Sequence, residues 1–357
     1  MRDACPGTPS EPSSGKRIVA KRVLVTGGAG FIGSNYIRRV LKTHPDWHVI
    51  VLDKLTYSGS LENLAGLPSE RLTFVQGDIA DPTVVRELVR DAEYVLNFAA
   101  ESHVDRSLQN PKPFVKTNVE GTLVLLEESL RARVQRFLHV STDEVYGDLS
   151  GSDRMSLEED PLRPRSPYAA TKAAAEHLVM SYHASYGLDT VITRGSNTYG
   201  PRQYPEKIVP LFIVNALQDK PLPVYGDGSA VRDYLHVDDH CVGIDVVLHS
   251  GASGRAYNLG AHEQVSGIRV AKAILDVLGK PESLIVRVPD RPGHDYRYSV
   301  DPAAAEKLGW KRRLDFEEGL RETVGWYLEN LDWWQRIGAD ESYADFIRSW
   351  YVERSAK

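Results

Sequence analysis

The sequence predicts an α/β protein built on a doubly wound parallel β-sheet, with a smaller α-rich C-terminal lobe. Three observations carry that expectation. Short apolar or β-branched runs alternate with stretches of helical periodicity through the first half of the chain, the pattern of consecutive β-α-β units whose sheet is covered on both faces. A glycine cluster, Gly27 to Gly33, stands where the first apolar run hands over to the first helical stretch. After residue 195 the alternation gives way to short pieces broken by Pro201, Pro205, Pro210, Pro221, Pro223, Gly226 and Gly228.

The elements follow in order. Residues 1–20, rich in Pro, Ser and Gly and without periodicity, read as a disordered arm. Strands are expected at Arg22–Thr26, His48–Leu52, Leu72–Val75, Tyr94–Phe98 and Phe137–Val140, each short and apolar or β-branched. Helices are expected between them at Phe31–Leu41, Thr83–Val89 and Val115–Arg131, the last with Val115, Val119, Leu123 and Leu126 along one stripe. Tyr168 to Lys172 opens a further helix that runs through Leu178. In the C-terminal half, Ile268–Leu278 and Phe316–Leu328 have helical spacing, and Trp310, Trp326, Trp333, Trp334 and Trp350 are expected to pack that lobe.

Composition excludes several classes of function. The 357 residues carry 43 Lys plus Arg against 49 Asp plus Glu, a formal net charge of −6, which argues against a nucleic-acid binder because phosphate neutralisation needs a basic patch. No run of about eighteen apolar residues offers a membrane span. The two cysteines, Cys5 and Cys241, form no C-x-x-C pair and cannot build a disulfide framework. Without an N-terminal apolar signal segment or an N-x-[ST] acceptor, the expected compartment is the cytoplasm.

The glycine cluster reads as G-x-x-G-x-x-G from Gly27 and as G-x-G-x-x-G from Gly28. In a strand–turn–helix context, glycines let the backbone approach a pyrophosphate, and the helix start offers its N–H groups and positive dipole end. Asp53 follows twenty residues beyond Gly33, at the end of the second strand. A carboxylate there accepts ribose hydroxyls and repels a 2′-phosphate, so NAD is expected rather than NADP. Asp78 and Ile79 follow the third strand, where Asp78 either meets the adenine or caps a helix. The expected organisation is therefore the arm 1–20, a Rossmann-like NAD-binding domain 21–195 and a smaller lobe 196–357, with interleaving of the two left open.

Tyr168 and Lys172 are four residues apart on one helix and share a face. An ammonium beside a phenol, with a cationic nicotinamide, favours the phenolate, and such a tyrosine removes a hydroxyl proton while the same carbon gives up hydride. Just after the fifth strand, Ser141-Thr142-Asp143-Glu144 places two carboxyls side by side. Elimination of water from a sugar needs one carboxylate as base and one carboxylic acid as proton donor, and two carboxyls sharing a small site split their pKa values into such a pair.

With the glycine loop, the Tyr/Lys pair and the Ser141-Thr142 step, the chain resembles the extended short-chain dehydrogenases/reductases of nucleotide sugars over about residues 22–330. The runs Thr142-Asp143-Glu144-Val145-Tyr146-Gly147, Ala99 to Asp105, Asp53-Lys54-Leu55-Thr56, Tyr204-Pro205-Glu206-Lys207 and Arg291 to Asp295 resemble the dTDP-glucose 4,6-dehydratases. That resemblance implies Tyr168 as base at C4, Glu144 as base at C5, Asp143 as acid at the C6 hydroxyl, and Thr142 and Ser102 on the sugar hydroxyls. It implies a dinucleotide site that includes Gly27, Gly30, Phe31, Ile32, Gly33, Asp53, Lys54, Leu55, Thr56, Asp78, Ile79, Phe98, Ala99, Ala100, Thr117, Tyr168, Lys172 and Thr198. Asn197, Lys207, Pro223, Tyr225, Arg232, Arg291 and His294 fall on nucleotide-binding positions; Arg232 and Lys207 suit a diphosphate.

The sequence departs from the family at Thr198, usually asparagine, and at Gly267, often asparagine. The resemblance also implies a homodimer through Val115–Arg131 and the Tyr168 helix. His236 and His240 have metal-like spacing, but the chemistry needs no metal and Asp238 is expected as a helix cap. Two alternatives stay open: another nucleotide-sugar enzyme of the same scaffold (a UDP-sugar 4-epimerase, a decarboxylase or a UDP-glucose dehydratase), which in the first two cases lacks the Asp143-Glu144 pairing, and a non-catalytic NAD-sensing protein.

Overall fold

The first strand, β1 (Lys21–Thr26), is buried over its last four residues and leads through the glycine turn into α1 (Phe31–Thr43). The computed structural model describes residues 20–290 and 295–353; the expected arm lies outside them except for its last residue. There follow β2 (Trp47–Asp53), β3 (Leu72–Gln76), α2 (Pro82–Val89), β4 (Tyr94–Asn97), α3 (Val104–Gln109) and α4 (Lys112–Phe114). A π-helical stretch, 115–121, joins α4 to α5 (Thr122–Ala132). Then come β5 (Arg136–Thr142), α6 (Pro167–Tyr186), β6 (Thr190–Gly195), β7 (Asn197–Tyr199), α7 (Ile208–Leu217), β8 (Leu222–Tyr225), β9 (Val231–His236), α8 (Val237–Ser250) and β10 (Arg255–Leu259). The chain continues with β11 (Gln264–Ser266), α9 (Gly267–Leu278), β12 (Ile285–Val288), α10 (Ala303–Lys307), α11 (Phe316–Glu329), α12 (Leu331–Gly338) and α13 (Glu341–Ile347), and its last described turn, 348–353, is again π-helical.

Seven strands form one parallel sheet in the order β10-β6-β5-β4-β1-β2-β3. Alternate residues of β1 and β2 explain its two covered faces. Val23, Val25, Val49 and Val51 pack against α1 and α8, whereas Leu24, Ile50 and Leu52 pack against α2 and α5. A third core joins α7, α9 and α11 over β8 and Tyr234 in the smaller lobe, which also holds the three-stranded sheet β11-β9-β7 and the pair β12-β8. The chain crosses residue 195 and comes back: α8 and β10 belong to the large sheet layer. Strand order reverses between β1 and β4, and at that switch point the carboxyl ends of the strands open a crevice.

Two local expectations are corrected. The stripe Val115, Val119, Leu123, Leu126 is buried only at Leu126; Val115 is 49% exposed, while Phe114, Asn118, Thr122 and Leu125 are buried. The π stretch, one residue longer per turn, moves the inward face; Asn118 there bonds the backbone of Glu101 in both directions and the Thr171 hydroxyl. Trp310 packs with the large sheet rather than the smaller lobe, its indole donating to the Asp239 carbonyl.

Candidate active site

At the switch point the backbone itself shapes the dinucleotide cleft. Gly27 takes φ +68°, and a Cβ there would lie 2.6 Å from Ala99 N; a Cβ on Gly33 would lie 2.4 Å from Gly27 O. The turn therefore rests on the chain leaving β4, and α1 rests on the turn, with no room for side chains. Gly30 caps α1 without a side-chain hydrogen bond, leaving first-turn N–H groups for an anion. Asp53 ends β2 with Oδ2 accepting from Ala29 N at 2.9 Å and Oδ1 from Leu55 N at 2.8 Å. Burial raises its pKa against the lowering effect of those two bonds. A glycine cradle, an open helix start and a fixed carboxylate fit a dinucleotide.

Every residue expected to bind the dinucleotide lines this cleft except Leu55, Tyr168, Lys172 and Thr198. Lys54 donates to Asp78 at 2.7 Å, and the other Asp78 oxygen accepts from Ala80 N. Asp78 is thus no helix cap; Asp81 caps α2 through Thr83 N. Burial opposes its ionisation, but the Lys54 and Ala80 bonds outweigh that and hold its pKa low. Ser58, Gln203, Tyr204 and Glu206 also line the cleft; Tyr204 and Glu206 belong to the same run as Lys207, and no sequence signal marks Ser58 or Gln203.

A second cavity continues from the first through Phe31, Ile32, Ser102 and Lys207, and holds Thr142, Asp143, Glu144, Tyr168, Asn197 and Thr198. At the end of β5, Thr142 caps a single 3-10 turn, accepting from Glu144 N and donating to Asp143 Oδ1 at 3.2 Å. Asp143 is 2% exposed, and its Oδ2 has no hydrogen-bond partner among the described residues. Burial raises its pKa well above the usual carboxylate range, helped by the charges of Glu144 and Asp233 and opposed by Arg232. Glu144 reaches the neighbouring nucleotide cleft as well. The adjacent carboxyls thus sit in unequal surroundings.

Tyr168 and Lys172 occupy the first turns of α6, capped by the Ser166 hydroxyl at Ala169 N. The expected lowering of the phenol is not produced by the protein alone. Burial and the Glu144 charge push Tyr168 well up, with only Thr142 pulling it down appreciably. The reason is where Lys172 goes: its ammonium donates to the Val140 carbonyl at 2.7 Å and lies 3.2 Å from His139 Nε2. Burial lowers Lys172 to about 8, with Glu176 opposing.

The nucleotide cleft borders the second cavity. Pro223, Tyr225, Arg232, Asn197 and Lys207 line it together with Tyr298 and Tyr351, the last two missed from sequence. Arg232 donates to the carbonyls of Val231, Asp295 and Tyr296, lies 4.7 Å over the Tyr298 ring and is 8% exposed. Asn197 Oδ1 is buried without a partner among the described residues, and Lys207 donates to Ser102 O at 2.9 Å. Arg291 and His294 lie outside the described residues.

Thr198 donates to Ser196 O and lies 2.8 Å from His240 Nδ1. Burial drops His240 to about 4, so the neutral ring donates from Nδ1 to Thr198. Asp238 is not the cap of α8: His236 is, its ring accepting from Asp238 N. Among the described residues, the His/Asp group with metal-capable spacing is His44, Asp245 and His249, remote from these clefts. Its two imidazoles stack 5.1 Å apart at 19°.

A parallel sheet in the order 3-2-1-4-5-6-10 with a glycine cradle, an acidic residue ending β2 and a Tyr/Lys pair on α6, the helix after β5, defines a dinucleotide-dependent short-chain dehydrogenase/reductase. Residues 24–323 match the family model for GDP-mannose 4,6 dehydratase, and the chain belongs to that family of nucleotide-sugar 4,6-dehydratases. It is 50% identical over 309 residues to the low-salt glycan biosynthesis protein Agl12 of Haloferax volcanii, covering 86% of this chain and 98% of that one. To the dTDP-glucose 4,6-dehydratase of Streptomyces antibioticus it is 48% identical over 321 residues, 88% of this chain and 95% of the relative. The crystal structure of DesIV, a dTDP-glucose 4,6-dehydratase from Streptomyces venezuelae with NAD and TYD bound, superposes with a TM-score of 0.86 at 46% identity, covering 88% of this chain and 99% of that one. No helix among the described residues is long and apolar enough to cross a membrane.

Proposed function

We propose that this protein is an NAD-retaining dTDP-glucose 4,6-dehydratase, producing the 4-keto-6-deoxy sugar and water. The observation that carries this reading is the unequal carboxyl pair Asp143 and Glu144, in a cavity that opens on one side to the dinucleotide cleft and on the other to the nucleotide cleft. NAD held by the glycine cradle and Asp53 would supply a hydride acceptor for C4 and a hydride donor for C6. Tyr168, near the Thr142 hydroxyl, takes the C4 hydroxyl proton as the phenolate, which the positive charge of a bound nicotinamide would have to favour against burial. Glu144 removes the proton at C5, made acidic by the neighbouring ketone. Asp143, kept protonated by its burial, gives its proton to the departing C6 hydroxyl. Lys207 and Arg232 bring positive charge to the diphosphate, and Asn197 lines the same cleft.

An epimerase needs Tyr168 but no acid–base pair, so the adjacent carboxyls disfavour it. The test is incubation with NAD and dTDP-glucose, following product mass. Loss of one water without net NADH supports the reading; an isomer of unchanged mass or inertness refutes it. UDP-glucose run in parallel decides the base preference. In the homodimer we propose, Val115–Arg131 and α6 pair with their copies; Val115 and Met180 expose apolar surface there.

A further inference from the structure

We propose that the C-terminal segment, α13 with the turn 348–353, completes the substrate site, and that Tyr351 is a specificity-determining residue holding the nucleoside half of the nucleotide sugar. The proposal rests on the nucleotide-sugar reading above. The segment lies beyond the family-model match, which ends at residue 323, yet its aromatic side chains run along the edge of both clefts. Tyr343 donates to the Pro205 carbonyl at 2.9 Å and meets the Tyr204 ring edge-on, centroids 5.8 Å apart. Phe346 lies 4.2 Å from the Arg106 guanidinium, whose other face has Tyr57 at 4.0 Å. That guanidinium is ion-paired at 2.8 Å with the buried Glu206 of the same loop. Trp350 donates from its indole to the Tyr225 hydroxyl at 2.6 Å.

Those three anchors deliver Tyr351 into the nucleotide cleft, where it stacks on Tyr225 with centroids 5.9 Å apart at 26°. Arg232 and Lys207 line the same cleft. Paired aromatic faces beside fixed cations suit a ligand with a flat base at one end and a diphosphate at the other. A purely structural role would need the buried Tyr343, Phe346 and Trp350 but would not require the half-exposed Tyr351 to line the cleft.

The test measures dTDP, UDP and GDP binding by calorimetry on the full-length protein with NAD bound, then repeats the tightest of them with Tyr351→Ala and Tyr351→Phe. Removing a ring that stacks on a base is expected to weaken that nucleotide by about 10- to 100-fold, with KM for the matching glucose conjugate rising in parallel, kcat within about twofold and NAD content unchanged. The phenylalanine variant keeps the ring and is expected to bind like the parent. Unchanged nucleotide affinity in Tyr351→Ala overturns the proposal, as does equal loss in both variants or loss of bound NAD. If UDP or GDP binds best, the dTDP assignment fails while Tyr351 is still tested with that nucleotide. If none of the three binds the parent, both readings fail. A chain ended after Gly338 is expected to show at least the same loss of affinity; should it fail to fold, the point variants decide.

Discussion

Replacing Asp143 by asparagine separates two things the site asks of that carboxyl: to be buried and to carry a proton. Asparagine has nearly the same shape, so the 3-10 turn and the Thr142 bond at 3.2 Å survive, but no proton can be given to the leaving hydroxyl. Loss of a positioned general acid costs about a hundred- to ten-thousand-fold in rate, or about 3–5 kcal/mol of barrier. Stability should move the other way. Burial first, then the Glu144 and Asp233 charges, raise the carboxyl above its unfolded pKa. That group therefore makes no difference to stability below its unfolded pKa of about 4 and a destabilising one that grows as pH rises towards the folded value. The asparagine variant lacks this penalty and should be at least as stable as the parent at neutral pH. Rapid mixing with dTDP-glucose, watching nicotinamide absorbance, should show C4 oxidation at near-parental rate and then a stall with NADH held on the enzyme; adding Glu144→Gln should deepen the stall. Turnover within about threefold of the parent, or equal loss of oxidation and dehydration, would refute the role of Asp143 as acid.

Three further outcomes are expected. Gly33→Ala forces a methyl to 2.4 Å from Gly27 O and 2.9 Å from Gly28 Cα, so the loop must shift, and NAD content of the purified protein should drop while the circular dichroism spectrum is retained. Lys172, lowered by burial from 10.5 to about 8, penalises the fold where it must be charged; the fold gains about 3 kcal/mol from this group as pH rises from about 8 to about 10.5, and urea titrations should show that slope flattened in Lys172→Met. Arg194 joins Glu176 and Tyr146 in a buried cluster, with Nη2 to Glu176 at 2.7 Å and Nη1 to Tyr146 at 2.6 Å. Arg194→Ala strands the Glu176 charge and should cost about 3–5 kcal/mol, read as a fall in the urea midpoint; a midpoint unchanged within error would mean the cluster is solvated in solution.

By itself, the order of residues determined whatever depends on neighbours in the chain. A strand, a tight turn and a helix start are made by consecutive residues, so Gly27 to Gly33, Asp53 and the helix opened by Tyr168 to Lys172 were legible, and with them the parallel sheet and the dinucleotide cleft. Asp143 beside Glu144 was legible for the same reason. What tertiary structure decided is everything that depends on burial and on partners far along the chain. Burial and the Glu144 charge raise the phenol of Tyr168, and Lys172, turned towards Val140 and His139 on β5, does not offset them. Asp143 is made an acid partly by Asp233, ninety residues away on β9. The π stretch at 115–121 rotates a helix that simple periodicity reads as regular. Tyr351 enters the nucleotide cleft only because three preceding aromatic residues find Pro205, Arg106 and Tyr225. Local backbone preference is set within a few residues, whereas a charge's surroundings are set by whichever segments the fold brings against it.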